Sequence, residues 1–289
     1  MPLKRIGRRL KDSLSWLLGT RRLAELATEQ RNILAHMAYL TLLQGPGAKY
    51  RAPRALAVHG FKVYSQAEED GILHEILRRI GATSRTFVEI GVSHGRECNT
   101  RLLLRQGWKG MWIDGDKDNE SEIKEFFFRE IEEGQLTFIR DFVTPDNIND
   151  LLMAHRLLPG PDLDVFSIDI DGNDWHVLSA LSSISPRVIV LEYNPIFPPP
   201  IEWIASYDPK RWWVGGGDYS ASLKSYELLL DEKGYALVGC TLNGNNAFFV
   251  RRDLLGDHFV LDTSSEYHFE PQRFWLTNGF MRGHETPGW

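Results

Sequence analysis

Three aspartates, a glutamate and an asparagine stand where side chains could hold a cation or take a proton. Asp169, Asp171 and Asp174 follow an apolar run within Ser167-Ile168-Asp169-Ile170-Asp171-Gly172-Asn173-Asp174, while Glu192 and Asn194 close the next apolar run. If the two runs are neighbouring parallel strands, these oxygen ligands converge at one carboxyl edge of a sheet, which suits a hard cation such as Mg²⁺ or Mn²⁺. An ion there lowers the pKa of a hydroxyl held beside it, and a carboxylate left over can accept the proton. Part of the group is expected to cap the helix that follows, with Asn173 and Asp174 best placed. His176 and His94 are the competing bases for chemistry without a metal, because histidine titrates near neutrality. His94 lies in a glycine loop, closer to whatever that loop binds.

That loop is Phe87-Val88-Glu89-Ile90-Gly91-Val92-Ser93-His94-Gly95. Gly91, Ser93 and Gly95 follow directly on an apolar strand, and glycine lets backbone turn tightly against a ligand. The G-x-G-x-x-G spacing that seats a pyrophosphate is absent and a carboxylate, Glu89, precedes the loop, so a cationic ligand fits better than a dinucleotide. The second apolar run ends at Asp114, where an acid accepts ribose hydroxyls, with Asp116 as the alternative. The third ends at Arg140-Asp141-Phe142, where Asp141 could accept an adenine amino group and Phe142 could cover the base.

The elements that must position these residues alternate regularly. Apolar runs at Thr86–Ile90, Gly110–Ile113, Leu136–Ile139, Asp164–Ile168 and Arg187–Leu191 read as buried parallel strands. Helical segments at Gln66–Ile80, Cys98–Gln106, Lys117–Glu133, Asp146–Arg156 and Trp175–Ser182 lead into or separate them, the first starting after Ser65 as N-cap with Glu68 three residues on. A helix over Ser220–Lys233 then precedes Tyr235–Cys240, the turn Asn243-Gly244-Asn245, and Ala247–Val250. The expected fold is α/β, a Rossmann-like doubly wound seven-stranded sheet whose last strand is antiparallel, with an N-terminal helical extension. It divides as an extension and linker (1–62), a main domain (63–252) and a C-terminal extension (253–289). Between Asn194 and Tyr219, the prolines 195 and 198–200, Phe197, Trp203, Tyr207, Trp212, Trp213 and Gly215-Gly216-Gly217 read as a hinged aromatic lid over an acceptor site, since aromatic faces stack on sugar rings.

At Tyr64-Ser65-Gln66-Ala67-Glu68-Glu69-Asp70-Gly71-Ile72, the Glu89 to Gly95 loop, Gly107-Trp108-Lys109-Gly110-Met111-Trp112-Ile113-Asp114 and the Ser167 to Asp174 segment, the chain resembles class I methyltransferases of the FkbM-like and macrocin-type kind, over residues 63–252. The resemblance implies S-adenosylmethionine as cofactor and a hydroxyl of a sugar, glycolipid or polysaccharide precursor as acceptor. It puts Ser65 and Gln66 near the methionine end of the cofactor, and Asp169 beside it. It implies Asp169 and Glu192 as metal ligands and Asp171 as base, with His176 as the alternative base. The sequence departs from that pattern at Asn194, which stands near Glu192 where a second acid is usual, and so enters the ligand set as an amide. Two other readings compete: a small-molecule or polyketide O-methyltransferase, and a catalytically silent Rossmann module recruited to a membrane assembly complex.

Composition narrows the partners. Seven Lys or Arg against Asp12 alone make residues 1–22 basic, so a net charge of −6 over 289 residues conceals an acidic body. Without a basic aromatic groove, nucleic acid is not expected as acceptor. Leu3, Ile6, Leu10, Leu14 and Leu17 recur at helical spacing opposite those basic residues. Residues 1–22 are therefore expected to pack on the body or a sister subunit, as in a homo-oligomer, or to touch an anionic membrane peripherally. The two cysteines, Cys98 and Cys240, are too few for a disulfide framework and read as small buried hydrophobes; a cytoplasmic setting is expected, or the inner face of the membrane.

Overall fold

A computed structural model describes residues 19–45, 49–155, 163–211 and 216–279. Seven strands form one sheet in the order β3-β2-β1-β4-β5-β7-β6: β1 (Thr86–Ile90), β2 (Lys109–Asp114), β3 (Leu136–Arg140), β4 (Val165–Ile168), β5 (Val188–Glu192), β6 (Tyr235–Cys240) and β7 (Asn246–Arg251). The first five run parallel, and β7 enters antiparallel between β5 and β6. The expected Rossmann-like sheet is therefore the observed one. The order turns back between β1 and β4, which opens a crevice outside the carboxyl ends of those strands.

The central strands read as unbroken apolar runs because both their faces are covered. One face carries Val88, Ile113, Phe166, Leu191 and Phe249 among its buried side chains, the other Phe87, Trp112, Val165, Val190 and Phe248. Helices α1 (Thr20–Gln44), α2 (Glu69–Ile80), α3 (Arg101–Arg105), α4 (Lys117–Phe126), α5 (Phe128–Glu132), α6 (Ile148–Ala154), α7 (Asp174–Ala180), α8 (Leu223–Glu232) and α9 (Ser265–His268) complete the described residues.

Several helix boundaries differ from expectation, two of them for clear local reasons. The segment expected as Lys117–Glu133 breaks at Phe127, whose buried ring turns in to meet Trp112 edge-on at 4.8 Å. The helix expected from Gln66 starts only at Glu69, because the Asp70 carboxylate gathers the backbone N–H groups of Val63, Tyr64 and Ser65 into a loop at 2.6–2.9 Å. Ser65 is thus no ordinary N-cap; its Oγ accepts the N–H of Asp70. Toward the amino end, α1 begins after Gly19, which has φ +66. The amphipathic stripe from Leu3 to Leu17 lies outside the described residues. No helix among the described residues is long and apolar enough to cross a membrane.

Candidate active site

The carboxyl ends of β1, β2 and β3 and the loop after β4 enclose a cleft of about 300 Å³, lined by Gly91, Ser93, Asp114, Asp141, Phe142, Asp169, Asp171 and Arg211 among others. Six residues expected around a nucleoside, Gly91, Ser93, Asp114, Asp141, Phe142 and Asp169, therefore share one wall system. The strand ladder places them: the Gly91 N–H donates to the Ile113 carbonyl at 2.9 Å and the Asp169 N–H to the Ile90 carbonyl at 3.0 Å, so the three loops leave the sheet side by side.

Gly91 is required by a close approach. A Cβ at this position would stand 1.6 Å from the carbonyl oxygen of Asp169, and its φ of +81 is left-handed. Ser93, also left-handed at φ +50, donates its N–H to Asp114 Oδ2 at 2.8 Å. Asp114 Oδ1 accepts from the Asp116 N–H at 2.9 Å and from Asn119 Nδ2 at 3.0 Å. Asp114 thus ties the glycine loop to the start of α4 while its carboxylate still faces the cleft. Asp116 caps α4 by accepting the N–H of Asp118, which spends its side chain locally. Beyond Asp114, the ring of Phe142 lies against Gly115, where a Cβ would meet it at 2.4 Å. The outer part of that ring is open, at 58% exposure, and free to cover a base.

Glu89 and Gly95 face elsewhere. The Glu89 carboxylate is buried and accepts from the Asn99 N–H at 2.7 Å, the Thr100 N–H at 2.9 Å and Thr100 Oγ1. It therefore anchors the chain entering α3 and does not line the cleft; burial pushes its pKa up. A Cβ on Gly95 would collide with Trp112 and Phe127, so this glycine serves the core. Ser65 and Gln66 do not line the cleft either: Ser65 is buried in the Asp70 loop and Gln66 is exposed.

Beside the cleft, Asp169, Asp171 and Glu192 each bring a carboxylate oxygen within 4.8 Å of the others. Burial raises the pKa of Asp169, and the charges of Asp174, Asp171 and Glu89 raise it further. Glu192 is shifted in the same direction by burial and by Asp169, Asp174 and Asp171. Its Oε2 is buried with no hydrogen-bond partner, as is the hydroxyl of Tyr219, whose pKa rises with burial and with the charges of Glu192 and Asp169. Carboxylates crowded this way, with one buried oxygen lacking a donor, would fit a divalent cation, which would supply the missing charge. Asp174 belongs to the frame: it accepts from the Ile170 N–H at 2.8 Å and the Gly172 N–H at 2.9 Å, holding Asp171 at φ +58.

Two expected members stand apart. Asn194 donates through Nδ2 to the carbonyls of Gly217 and Tyr219, at 2.8 and 2.9 Å, and accepts the Ile196 N–H, so its amide is engaged by the backbone of the loop between β5 and α8 and not by the acids. His176 holds its Nε2 2.8 Å from the Ala205 carbonyl and packs edge-on against Trp175 and Tyr207. It props the loop between β5 and α8. His94 Nδ1 accepts the N–H of Arg96 within its own turn.

Of the residues expected to form a lid, Phe197 and Trp203 stack on each other at 4.3 Å, while Trp212, Trp213 and Gly215 lie outside the described residues. Arg211, not singled out in the sequence, crosses over Gly172 to line the cleft, fixed by the carbonyls of Asp218 and Ser206 at 2.8 and 2.9 Å. Only the absence of a side chain at Gly172 admits it, and an invitation of that kind has no sequence signal. Asn119 was missed likewise, one turn into α4.

The sheet is Rossmann-like, with an antiparallel strand inserted beside its last edge. Among solved structures, the chain is similar to the N-terminal domain of EvdMO1 with SAH bound (TM-score 0.41, 16% identity, covering 63% of this chain and 79% of that one). It is also similar to an S-adenosylmethionine-dependent methyltransferase from Clostridium acetobutylicum (0.38, 10%, 62% and 88%) and to the glycopeptide N-methyltransferase MtfA complexed with S-adenosyl-L-methionine (0.38, 11%, 69% and 97%). No protein-family model matches the sequence, and no curated protein matches it. These are weak likenesses of shape, and the reading of the site rests on its own residues.

Proposed function

We propose that the chain is an S-adenosylmethionine-dependent O-methyltransferase of the FkbM-like, macrocin-type kind, acting on a hydroxyl of a sugar, glycolipid or polysaccharide precursor. The observation that carries the reading is the adjacency of two chemistries: a nucleoside-sized cleft walled by Asp114, Asp141 and Phe142, and a three-carboxylate cluster opening from its Asp169 side. Asp114 would accept the ribose hydroxyls, Phe142 would lie on the adenine, and the Gly91 backbone would pass beneath the amino-acid end. With Glu89 and Gly95 committed to the core, and Ser65 and Gln66 outside the cleft, the cofactor set contracts to Gly91, Ser93, Asp114, Asp141, Phe142 and Asp169.

Asp169 and Glu192 would hold Mg²⁺ or Mn²⁺. When bound, the ion lowers the pKa of the acceptor hydroxyl and fixes its oxygen. Asp171, the member of the cluster that stands on a left-handed turn and also lines the cleft, would be the base, taking the hydroxyl proton as the methyl group passes from the sulfonium sulfur to the acceptor oxygen. Before an ion is bound, burial and the charge of Asp114 raise its pKa. His176 is the less suitable base because its ring is engaged by Ala205.

Titration calorimetry with S-adenosylmethionine, with and without Mg²⁺, tests the reading. Micromolar binding is expected; no binding at high micromolar cofactor would favour the catalytically silent module.

A further inference from the structure

Helix α1 carries a second stripe that the described residues leave uncovered. Its buried side carries Ala35, and Tyr39 with the partly buried Ala38, Leu42 and Leu43 packs with Leu276, Leu242 and Ala57 against the body. On the opposite side of the same helix stand Leu23, Leu26, Gln30, Ile33, Met37 and Leu40, all exposed, with Leu23 at 66%, Ile33 at 58% and Met37 at 59%. Their spacing alternates three and four residues without a break, and Gln44 continues it. That is a heptad seam with Leu23, Gln30 and Met37 at one core position and Leu26, Ile33 and Leu40 at the other.

We infer that α1 is a dimerisation helix whose partner is α1 of a second copy of this chain, paired parallel and in register. Three observations select this occupant. First, the stripe is as narrow as a coiled-coil seam, and what fills such a seam is another helix with the same repeat. Second, Gln30 interrupts the apolar core at its centre. In a parallel pair it meets Gln30 of the second copy, where two amides can bond each other; an antiparallel pair would set it against Ile33 with no partner. Third, the polar faces beside the seam are of mixed charge: Arg22 pairs with Glu25 at 3.7 Å, and Arg31 and Glu29 follow. A helix lying on an anionic bilayer would show a one-sided basic face.

Length and area are sufficient. The 25-residue helix spans about 37 Å and includes three heptads from Leu23 to Gln44. With Leu34, which flanks the seam at 64% exposure, two copies would together bury roughly 1,000 Å², the size at which specific pairs begin. A parallel pairing sets no like charges across the flanking positions: Arg22 faces Ala27, Glu29 faces Leu34 and His36 faces Thr41. The inference is independent of the proposed chemistry.

Sedimentation equilibrium of the full chain from low to high micromolar concentration tests it. A dimer is expected, and Ile33→Glu should weaken association at least ~100-fold while circular dichroism and S-adenosylhomocysteine binding stay unchanged. Gln30→Cys should form an intermolecular disulfide on mild oxidation, because position 30 meets itself. A monomer throughout, or a dimer indifferent to Ile33→Glu, overturns the proposal; so does a Gln30→Cys chain that stays uncrosslinked while dimeric. Flotation of the monomer with phosphatidylserine vesicles through this same stripe would overturn it in favour of a membrane surface. Should Ile33→Glu prove insoluble, Leu26→Asn gives the same reading more gently.

Discussion

Gly91 and Asp169 meet backbone to backbone: the strand leaving β1 passes so close to the end of β4 that a methyl group at 91 would overlap the Asp169 carbonyl oxygen. The contact sets the floor of the cleft and fixes where the first acid of the cluster begins. Gly91→Ala is therefore expected to destabilise the fold by about 3 kcal/mol or more, through overlap and left-handed strain together. Urea denaturation would measure it, and calorimetry on any folded fraction should find S-adenosylhomocysteine binding lost.

Asp114→Ala should weaken S-adenosylmethionine binding by about 10- to 100-fold, from charge-assisted bonds contributing about 1.5–3 kcal/mol each. Asp114→Asn keeps one acceptor oxygen and should lose less. Unchanged calorimetric affinity in both variants would move ribose recognition away from Asp114.

The carboxylate cluster makes a prediction about stability that needs no acceptor. Because Glu192 is buried among acids, with one oxygen unpartnered, Glu192→Gln should melt no lower than the parent in EDTA. Added Mg²⁺ should raise the melting temperature of the parent, as a ligand of the native state must, and leave Glu192→Gln unmoved. A parent indifferent to Mg²⁺, Mn²⁺ and chelator would remove the metal from the mechanism.

Glu68 supplies a pH test. Burial, and the neighbouring charge of Glu69, raise its pKa from 4.5 to about 8. Between those values the folded state holds a proton that the unfolded chain has released, so this residue's contribution to stability declines as pH rises from 4.5 to about 8 and is level beyond. Glu68→Gln lacks that decline, so its stability relative to the parent should improve across the window by on the order of a few kcal/mol. Parallel denaturation curves at pH 5 and 8.5 would refute the shift.

Glu75 works in the opposite sense. Hydrogen bonds from Arg78 and Arg79 hold its carboxyl near 2, so the stability it lends is full above 4.5 and lost as pH falls toward 2. Glu75→Gln should cost stability at neutral pH, with the difference from the parent closing in acid.

The strands were legible because a parallel sheet covered on both faces leaves an unmistakable mark: Thr86–Ile90 is observed as read, as is Tyr235–Cys240 in the hairpin, and the others differ by one residue at their ends. The same logic located Asp114, Asp141 and Asp169, since residues at the carboxyl ends of parallel strands line the crevice wherever the order turns back. What a sequence does not carry is the direction in which an acid faces once its position is known. Glu89 precedes the glycine loop as expected, yet it satisfies two N–H groups entering α3. Asn194 follows β5 as expected, yet its amide closes on Gly217 and Tyr219 more than twenty positions later. Both outcomes were set by loops whose path no periodicity describes. Ser65 and Gln66 illustrate the same limit: the run of acids after them is engaged locally and by the distant β6–β7 turn.

That engagement governs the order in which the chain can become whole. Glu68 accepts the N–H of Leu242, and Glu69 accepts from Asn246 at 2.9 Å, across separations of 174 and 177 positions. A growing polypeptide thus carries two carboxyl groups near its beginning whose partners are not yet made. Until the final hairpin emerges, the entrance to α2 lacks the donors that its interior position demands, and a fragment ending before residue 246 leaves that debt open. The last strand inserted is accordingly also the clasp that lets the first helix of the main domain settle.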